Sequence, residues 1–209
     1  ADRINETHFS IADISEERLL IVDITTDEIT HEWQLDSALD RNTTGATDEP
    51  HDWAHLNDVE RLDDGTYMLS LRNHDQVIFY RIGEGMLEER TLGQDNNYSI
   101  LYEQHNPDYL YGPEGTESVL VADSQNNRIV EYEWRDGWRQ TWVWTDKKMR
   151  WPRDADRLPN GNTLVSDTGS DRILEVTPSG NIVWGISVKG NYEAERLGTG
   201  DESQNGLPM

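Results

Sequence analysis

Apolar residues come in short bursts separated by polar turns throughout the chain. Val119-Leu120-Val121-Ala122 and Ile129-Val130-Glu131-Tyr132 are representative, with Asp123-Ser124-Gln125-Asn126 between them. Bursts of this length, bounded by Gly, Asn and Asp, predict short β-strands joined by tight turns. No window repeats with the 3.6-residue period of an amphipathic helix. Strands carrying tryptophan are predicted at Ile29 to Trp33, Trp138 to Trp144 and Ile182 to Trp184.

The pattern repeats. ADRLPNGNTLVSDTGSDRILEV, from Ala155, aligns without a gap on ADRINETHFSIADISEERLLIV, from Ala1. Looser copies begin at Val59 and Pro107, and a fifth begins as AERLGTGDES at Ala194. The anchors Arg3, Arg61, Tyr109, Arg157 and Arg196 lie 58, 48, 48 and 39 residues apart. Three or four strands per copy at this period predict an all-β chain, a β-propeller with about four blades present. A β-solenoid is the structural alternative. Residues 1–197 are assigned to blades and 198–209 to a polar, unstructured C-terminal tail. The chain opens inside one repeat and stops just after the next anchor. This reads as a segment of a longer propeller, the alternative being a small ring closed by the C-terminal piece. Further segments or other chains are then expected as partners, because an open array exposes strand edges.

Composition narrows the function classes. Among 209 residues, Asp and Glu number 41 against 18 Lys and Arg, a net charge of −23. Such a surface repels phosphate backbones, so no nucleic-acid partner is expected. Lysine is confined to Lys147, Lys148 and Lys189, and the other basic residues are arginine. Excess carboxylates with screened repulsion suit high salt, so a halophilic archaeal source is expected. The absence of cysteine excludes disulfides and thiolate metal sites, and no metal or cofactor is expected. No stretch is long and apolar enough to be a membrane helix, and no signal peptide is expected within the sequence, because Ala1 opens directly into polar residues. Sequons at Asn5, Asn42 and Asn97 point mildly to an exported glycoprotein. The expected location is therefore extracellular or at the cell surface, with anchoring through further segments left open.

In a propeller the inner strands meet a central channel. The residue two before each repeat's Val, Pro or Ala anchor is Asn57, His105, Arg153 and Tyr192 in successive copies. Differing polar residues at one repeat position suggest a site; blade-to-blade hydrogen bonding is the plainer reading. His55 and Asn57, two apart on an extended segment, are expected to face one side. A hairpin is expected to return Arg72 toward Asn57. Histidines with an arginine and an asparagine make an anion site, since arginine offers a planar donor fork for a sulfuryl or phosphoryl group and histidine can be acid, base or nucleophile.

The stretch HDWAHLNDVERLDDGTYMLSLRN from His51, YEQHNPDYL from Tyr102, and the repeats WPRDADRLPNGNTLVSD and YEAERLGTGDES resemble the arylsulfotransferase family, in particular its haloarchaeal members. The resemblance implies a six-bladed β-propeller. It also implies nucleotide-independent transfer of a sulfuryl group from a phenolic sulfate to another phenol through a sulfated histidine. Carried over by motif, it makes His105 the nucleophile and makes His55, Asn57 and Arg72 the groups that stabilise the sulfuryl oxygens. Arg153 and Tyr192, added from their repeat position, and His74, in a polar turn, are substrate-binding candidates. A further family histidine would fall before Ala1.

His8 and His31 read as surface or edge residues, and the Asp123 and Asp167 turns as capped turns rather than calcium loops. Trp144 and Trp151 either stack an aromatic ligand or, more ordinarily, pack between blades. The competing function class is a non-catalytic extracellular binding or scaffold propeller, and a calcium-dependent surface protein is a third.

Overall fold

The computed structural model describes residues 1–47, 51–198, 203 and 206–209. The chain divides into two compact units, Ala1–Glu103 and Gln104–Met209. Each unit contains two antiparallel sheets in which successive strands are neighbours, except that β9 pairs with β7 rather than β8. The first unit has β1 (Asp2–Arg3), β2 (His8–Asp13), β3 (Arg18–Asp23) and β4 (Glu28–Gln34) in one sheet. Its second sheet has β5 (Leu56–Arg61), β6 (Tyr67–Leu71), β7 (Gln76–Arg81), β8 (Gly85–Met86) and β9 (Leu92–Gly93). The second unit has β10 (His105–Tyr111), β11 (Glu117–Asp123), β12 (Arg128–Trp134) and β13 (Trp138–Trp144), then β14 (Asp154–Arg157), β15 (Thr163–Asp167), β16 (Arg172–Val176) and β17 (Ile182–Ser187).

The anchors Arg3, Arg61, Tyr109 and Arg157 each lie on the first strand of a sheet. The tryptophan-bearing strands are the fourth strands β4, β13 and β17. The Val59 copy differs: its fourth strand is broken into β8 and β9, both paired with β7. Gly83, Gly85 and Gly93, all at positive φ, and a 3-10 turn at Glu88–Arg90 interrupt the run.

Burial follows the alternation. Leu19, Ile21, Val59, Leu69, Leu71 and Ile78 from the two sheets of the first unit form one core with Leu35, Trp53 and Leu56. In the second unit Leu120, Ala122, Ile129 and Trp144 pack with Ala155, Val165, Leu174 and Val176. Arg157 and Glu131 form an ion pair at 2.9 Å with almost no exposure. Two residues of the expected tail, Ser203 and Met209, are hydrogen-bonded to the second unit's strands. The Ser203 hydroxyl bonds to Asp108 and accepts the Arg157 amide, and the Met209 amide donates to Glu131 at 2.9 Å.

One hairpin recurs in all four sheets. The second and third strands are joined by four residues, the last of which is left-handed: Glu17, Asp75, Asn127 and Asp171, with φ of 55°, 53°, 52° and 52°. In three copies an Asp that ends the second strand accepts from the Arg that starts the third: Asp13 from Arg18, Asp123 from Arg128 and Asp167 from Arg172. The side chain of the left-handed residue then accepts a backbone N–H from the segment that follows its sheet. Glu17 takes those of Ala54 and His55, Asp75 that of Glu103, Asn127 that of Trp151 and Asp171 that of Gly190.

Candidate functional site

The segment leading into each inner strand is the place to look, because the hairpin latch fixes it. The four latched residues sit at one repeat position, four before the anchor. His55, Glu103, Trp151 and Gly190 are all left-handed there, with φ of 51°, 47°, 50° and 65°. Only Gly190 adopts that backbone without steric cost. For His, Glu and Trp it costs about 1 kcal/mol or more each. Three copies therefore hold a side chain in a backbone conformation where glycine would be easier.

In the first unit, the His55 Nδ1–H donates to the Asp52 carboxylate at 2.7 and 2.9 Å. The His55 carbonyl accepts the Arg72 amide at 3.2 Å, so the hairpin does return Arg72 to this segment. The Arg72 guanidinium donates to the Glu103 carboxylate at 2.5 Å and to Asn73 Oδ1 at 3.0 Å. Asn57 is the extra residue of a β-bulge, since Leu56 faces Leu71 and Asp58 faces Ser70. Bulges re-aim side chains near functional sites. With His55 left-handed and Asn57 bulged, the alternation argument that put both side chains on one face does not hold.

His74 departs from its expected substrate-binding role. Its ring is fully buried edge-on against Trp53 at 5.0 Å, with Nε2 on Thr44 Oγ1 at 3.0 Å, while Arg72 and Asn73 of the same 3-10 turn stay partly exposed. Desolvation pushes its pKa down to about 4, so it is a neutral core residue. The neighbouring Asp75 is raised to about 6, chiefly by burial. His8 and His31 lie on β2 and β4 as expected, His31 stacking on Tyr80 with a 2.9 Å hydrogen bond to its hydroxyl.

The second unit gathers three of the residues picked by repeat position. His105 is fully buried at the start of β10, which is also bulged, between His105 and Asp108. Its Nδ1 lies 2.8 Å from Ser124 Oγ. The Ser124 hydroxyl has one proton, and the Pro152 carbonyl accepts it at 2.7 Å. Ser124 must therefore accept from Nδ1–H, which leaves the lone pair of His105 on Nε2. Arg153 Nη1 donates to that Nε2 and lies 3.4 Å from the Tyr192 hydroxyl. The Arg153 guanidinium carbon sits 3.5 Å from the centre of the Trp151 ring and 5.1 Å from that of Tyr192. Both rings meet His105 edge-on at 6.3 Å and remain partly open to solvent, at 37% for Trp151 and 45% for Tyr192. The arrangement is a buried imidazole whose Nε2 faces the Arg153 cation, with two aromatic rings against that cation. Among the described residues no group of His, Asp and Glu has metal-binding geometry.

Ser124, Asp52 and Glu103 were not singled out as site residues from the sequence. Ser124 and Arg72 share one signal: each is the first residue of the recurring hairpin loop. The latched position, four before the anchor, was equally readable.

No curated protein sequence matches the chain. Solved structures resemble it in fold. A streptogramin B lyase aligns with a TM-score of 0.59 at 10% identity, over 88% of this chain and 52% of the lyase. Virginiamycin B lyase from Staphylococcus aureus gives 0.57 at 14%, over 87% and 53%. The calcium-binding protein regucalcin from Agrobacterium tumefaciens gives 0.62 at 15%, over 92% and 61%. These are β-propellers, and the chain spans about half to three fifths of their length. At such identities they establish the architecture, a partial β-propeller, and nothing of the chemistry. The arylsulfotransferase (ASST) family model matches residues 10–189, which takes in every inner strand but β1, and takes in His105, Ser124, Trp151 and Arg153 but not Tyr192. On that match the chain belongs to the arylsulfotransferase family.

Proposed function

We propose that this protein transfers a sulfuryl group between phenolic compounds, with His105 as the nucleophile. The observation that carries the reading is the proton inventory at His105. Ser124 and the Pro152 carbonyl hold the proton on Nδ1, and the lone pair on Nε2 faces a fixed cation.

Nε2 attacks the sulfur of a phenolic sulfate monoester. The N–S bond forms as the S–O(aryl) bond breaks, and the phenolate leaves with the electron pair. The Nδ1 proton stays on its nitrogen, so the intermediate is a sulfo-imidazolium whose new positive charge offsets the sulfuryl group. The incoming anion takes over the Arg153 N–H from Nε2, while the guanidinium keeps its place against the Trp151 ring. Donors already in place as negative charge redistributes lower the barrier most effectively. In the second half-reaction an acceptor phenolate oxygen attacks sulfur, its proton having gone to solvent or to the departed phenolate, and His105 is regenerated. The family resemblance gives His55, Asn57 and Arg72, in the first unit, a sulfuryl-stabilising role. Asp52 and Glu103 would then orient His55 and Arg72.

The test is release of 4-nitrophenol from 4-nitrophenyl sulfate in molar salt, with and without phenol, for the wild type, His105→Ala and Arg153→Ala. Without acceptor, the wild type should gain one SO3 mass increment on the His105 peptide, and His105→Ala should gain none. Full turnover by His105→Ala, or no turnover by a folded wild type, overturns the proposal. The second result favours a binding propeller.

A further inference from the structure

Trp151 is the most unusual side chain of the second unit. It is a large aromatic residue in the left-handed backbone region, a genuine outlier for a bulky side chain. The corresponding residue of the next copy is Gly190, so the repeat does not require a side chain there. The strain is held from both sides: the Trp151 amide is bound by Asn127 Oδ1 at 2.9 Å, and the carbonyl of the next residue, Pro152, by Ser124. Core packing does not explain it, because the indole is 37% exposed. Trp144 supplies the contrast: it is 5% exposed and its indole N–H is used on the Gly180 carbonyl at 3.1 Å.

Strain retained beside a reactive group points to a job for the side chain. The Trp151 ring covers one face of the Arg153 guanidinium. Tyr192 stands on the same cation, and both rings approach His105 edge-on. A sulfate ester held by the N–H edge of Arg153 with sulfur at Nε2 projects its organic group away from the buried imidazole, toward the exposed parts of these rings. A planar π-system can stack there. An aliphatic chain gains the contact area but not the ring–ring term.

We propose that Trp151 is the specificity residue that selects aryl over alkyl sulfates, with Tyr192 as the opposite wall of the same slot. This rests on His105 and Arg153 being the sulfuryl site. It is distinct from Trp151 merely propping Arg153, which would affect every sulfate alike.

The experiment measures binding, so that it does not depend on turnover. Titration calorimetry in molar salt compares 2-naphthalenesulfonate with 1-hexanesulfonate, for the wild type, Trp151→Leu, Trp151→Phe and Tyr192→Leu. The wild type should prefer the aryl probe. Trp151→Leu should lose roughly 5- to 10-fold for the aryl probe, the size of one aromatic contact, and less than twofold for the alkyl probe. Trp151→Phe should recover most of the preference. Equal losses for both probes would reduce Trp151 to a support for Arg153 and overturn the proposal. So would no change for either probe, or no binding of either by the folded wild type. Retained aryl preference in a protein that shows no sulfuryl transfer would separate failure of the chemistry from failure of the slot.

Discussion

Replacing Ser124 by alanine tests the foundation of the chemistry directly. In the wild type the Nδ1–H tautomer keeps two hydrogen bonds that the other tautomer would lose: Ser124 O–H to the Pro152 carbonyl, because Ser124 would have to turn and donate to Nδ1, and Arg153 N–H to Nε2. A neutral hydrogen bond contributes about 1 kcal/mol and one to a charged group about 1.5–3 kcal/mol. Together they bias the tautomer by about 3 kcal/mol, roughly two orders of magnitude. Ser124→Ala removes the smaller contribution and leaves two buried groups, His105 Nδ1 and the Pro152 carbonyl, without this partner. The expected stability loss is about 2–4 kcal/mol. The Nε2 lone pair should remain the major form, but the ring loses its pivot, so kcat should fall while KM changes little. The assay is nitrogen NMR of histidine-labelled protein together with urea unfolding. A wild-type spectrum in which Nε2 carries the proton, or a Ser124→Ala variant with unchanged stability, would refute the tautomer assignment.

Arg157→Met should cost about 3–5 kcal/mol, because it strands the buried Glu131 carboxylate, and Glu131→Leu added to it should restore much of the loss. Urea unfolding of the single and double variants checks this, and additive losses would contradict it. Burial raises Asp154 to about 7, with Glu193 and Glu195 adding repulsion. A raised carboxyl pKa stabilises the folded form below its unfolded value and loses that contribution as pH rises through the folded value. Asp154→Asn should therefore be more stable than the wild type at pH 8 and similar to it near pH 4. Parallel stability curves for the two proteins would count against this. Gly93→Ala should be severely destabilising, since its Cβ would lie 2.1 Å from the Asp75 carbonyl oxygen on a backbone with φ of +91°. Thermal unfolding within a few degrees of the wild type would show the loop to be more yielding than described.

The strands were legible because their alternation is strong and copied. The Ala1 and Ala155 copies align without a gap, and the first strand of each sheet falls on an anchor. The break of the fourth strand in the Val59 copy was not foreseen, although Gly83, Gly85 and Gly93 were on view. The repeat position two before the anchor pointed to His105, Arg153 and Tyr192, which are brought together. His74 misled, because a residue in a polar turn is buried when Trp53 and Thr44 from other segments cover it. Ser124 resembled an ordinary turn residue, since its role depends on the Pro152 carbonyl 28 residues away. The docking of Ser203 and Met209 was equally hidden, because it uses single contacts to Asp108 and Glu131 rather than an apolar pattern.

The latch between each hairpin and the segment after it separates backbone shape from side-chain identity. The N–H that is captured belongs to the main chain, so the hook closes on histidine, glutamate, tryptophan or glycine alike. A codon change there alters what is displayed while the path of the chain is kept, at a cost of about 1 kcal/mol relative to glycine. Such a position works as an interchangeable socket. New chemistry can be tried in one copy while the other copies hold the architecture, and Gly190 is the socket left empty.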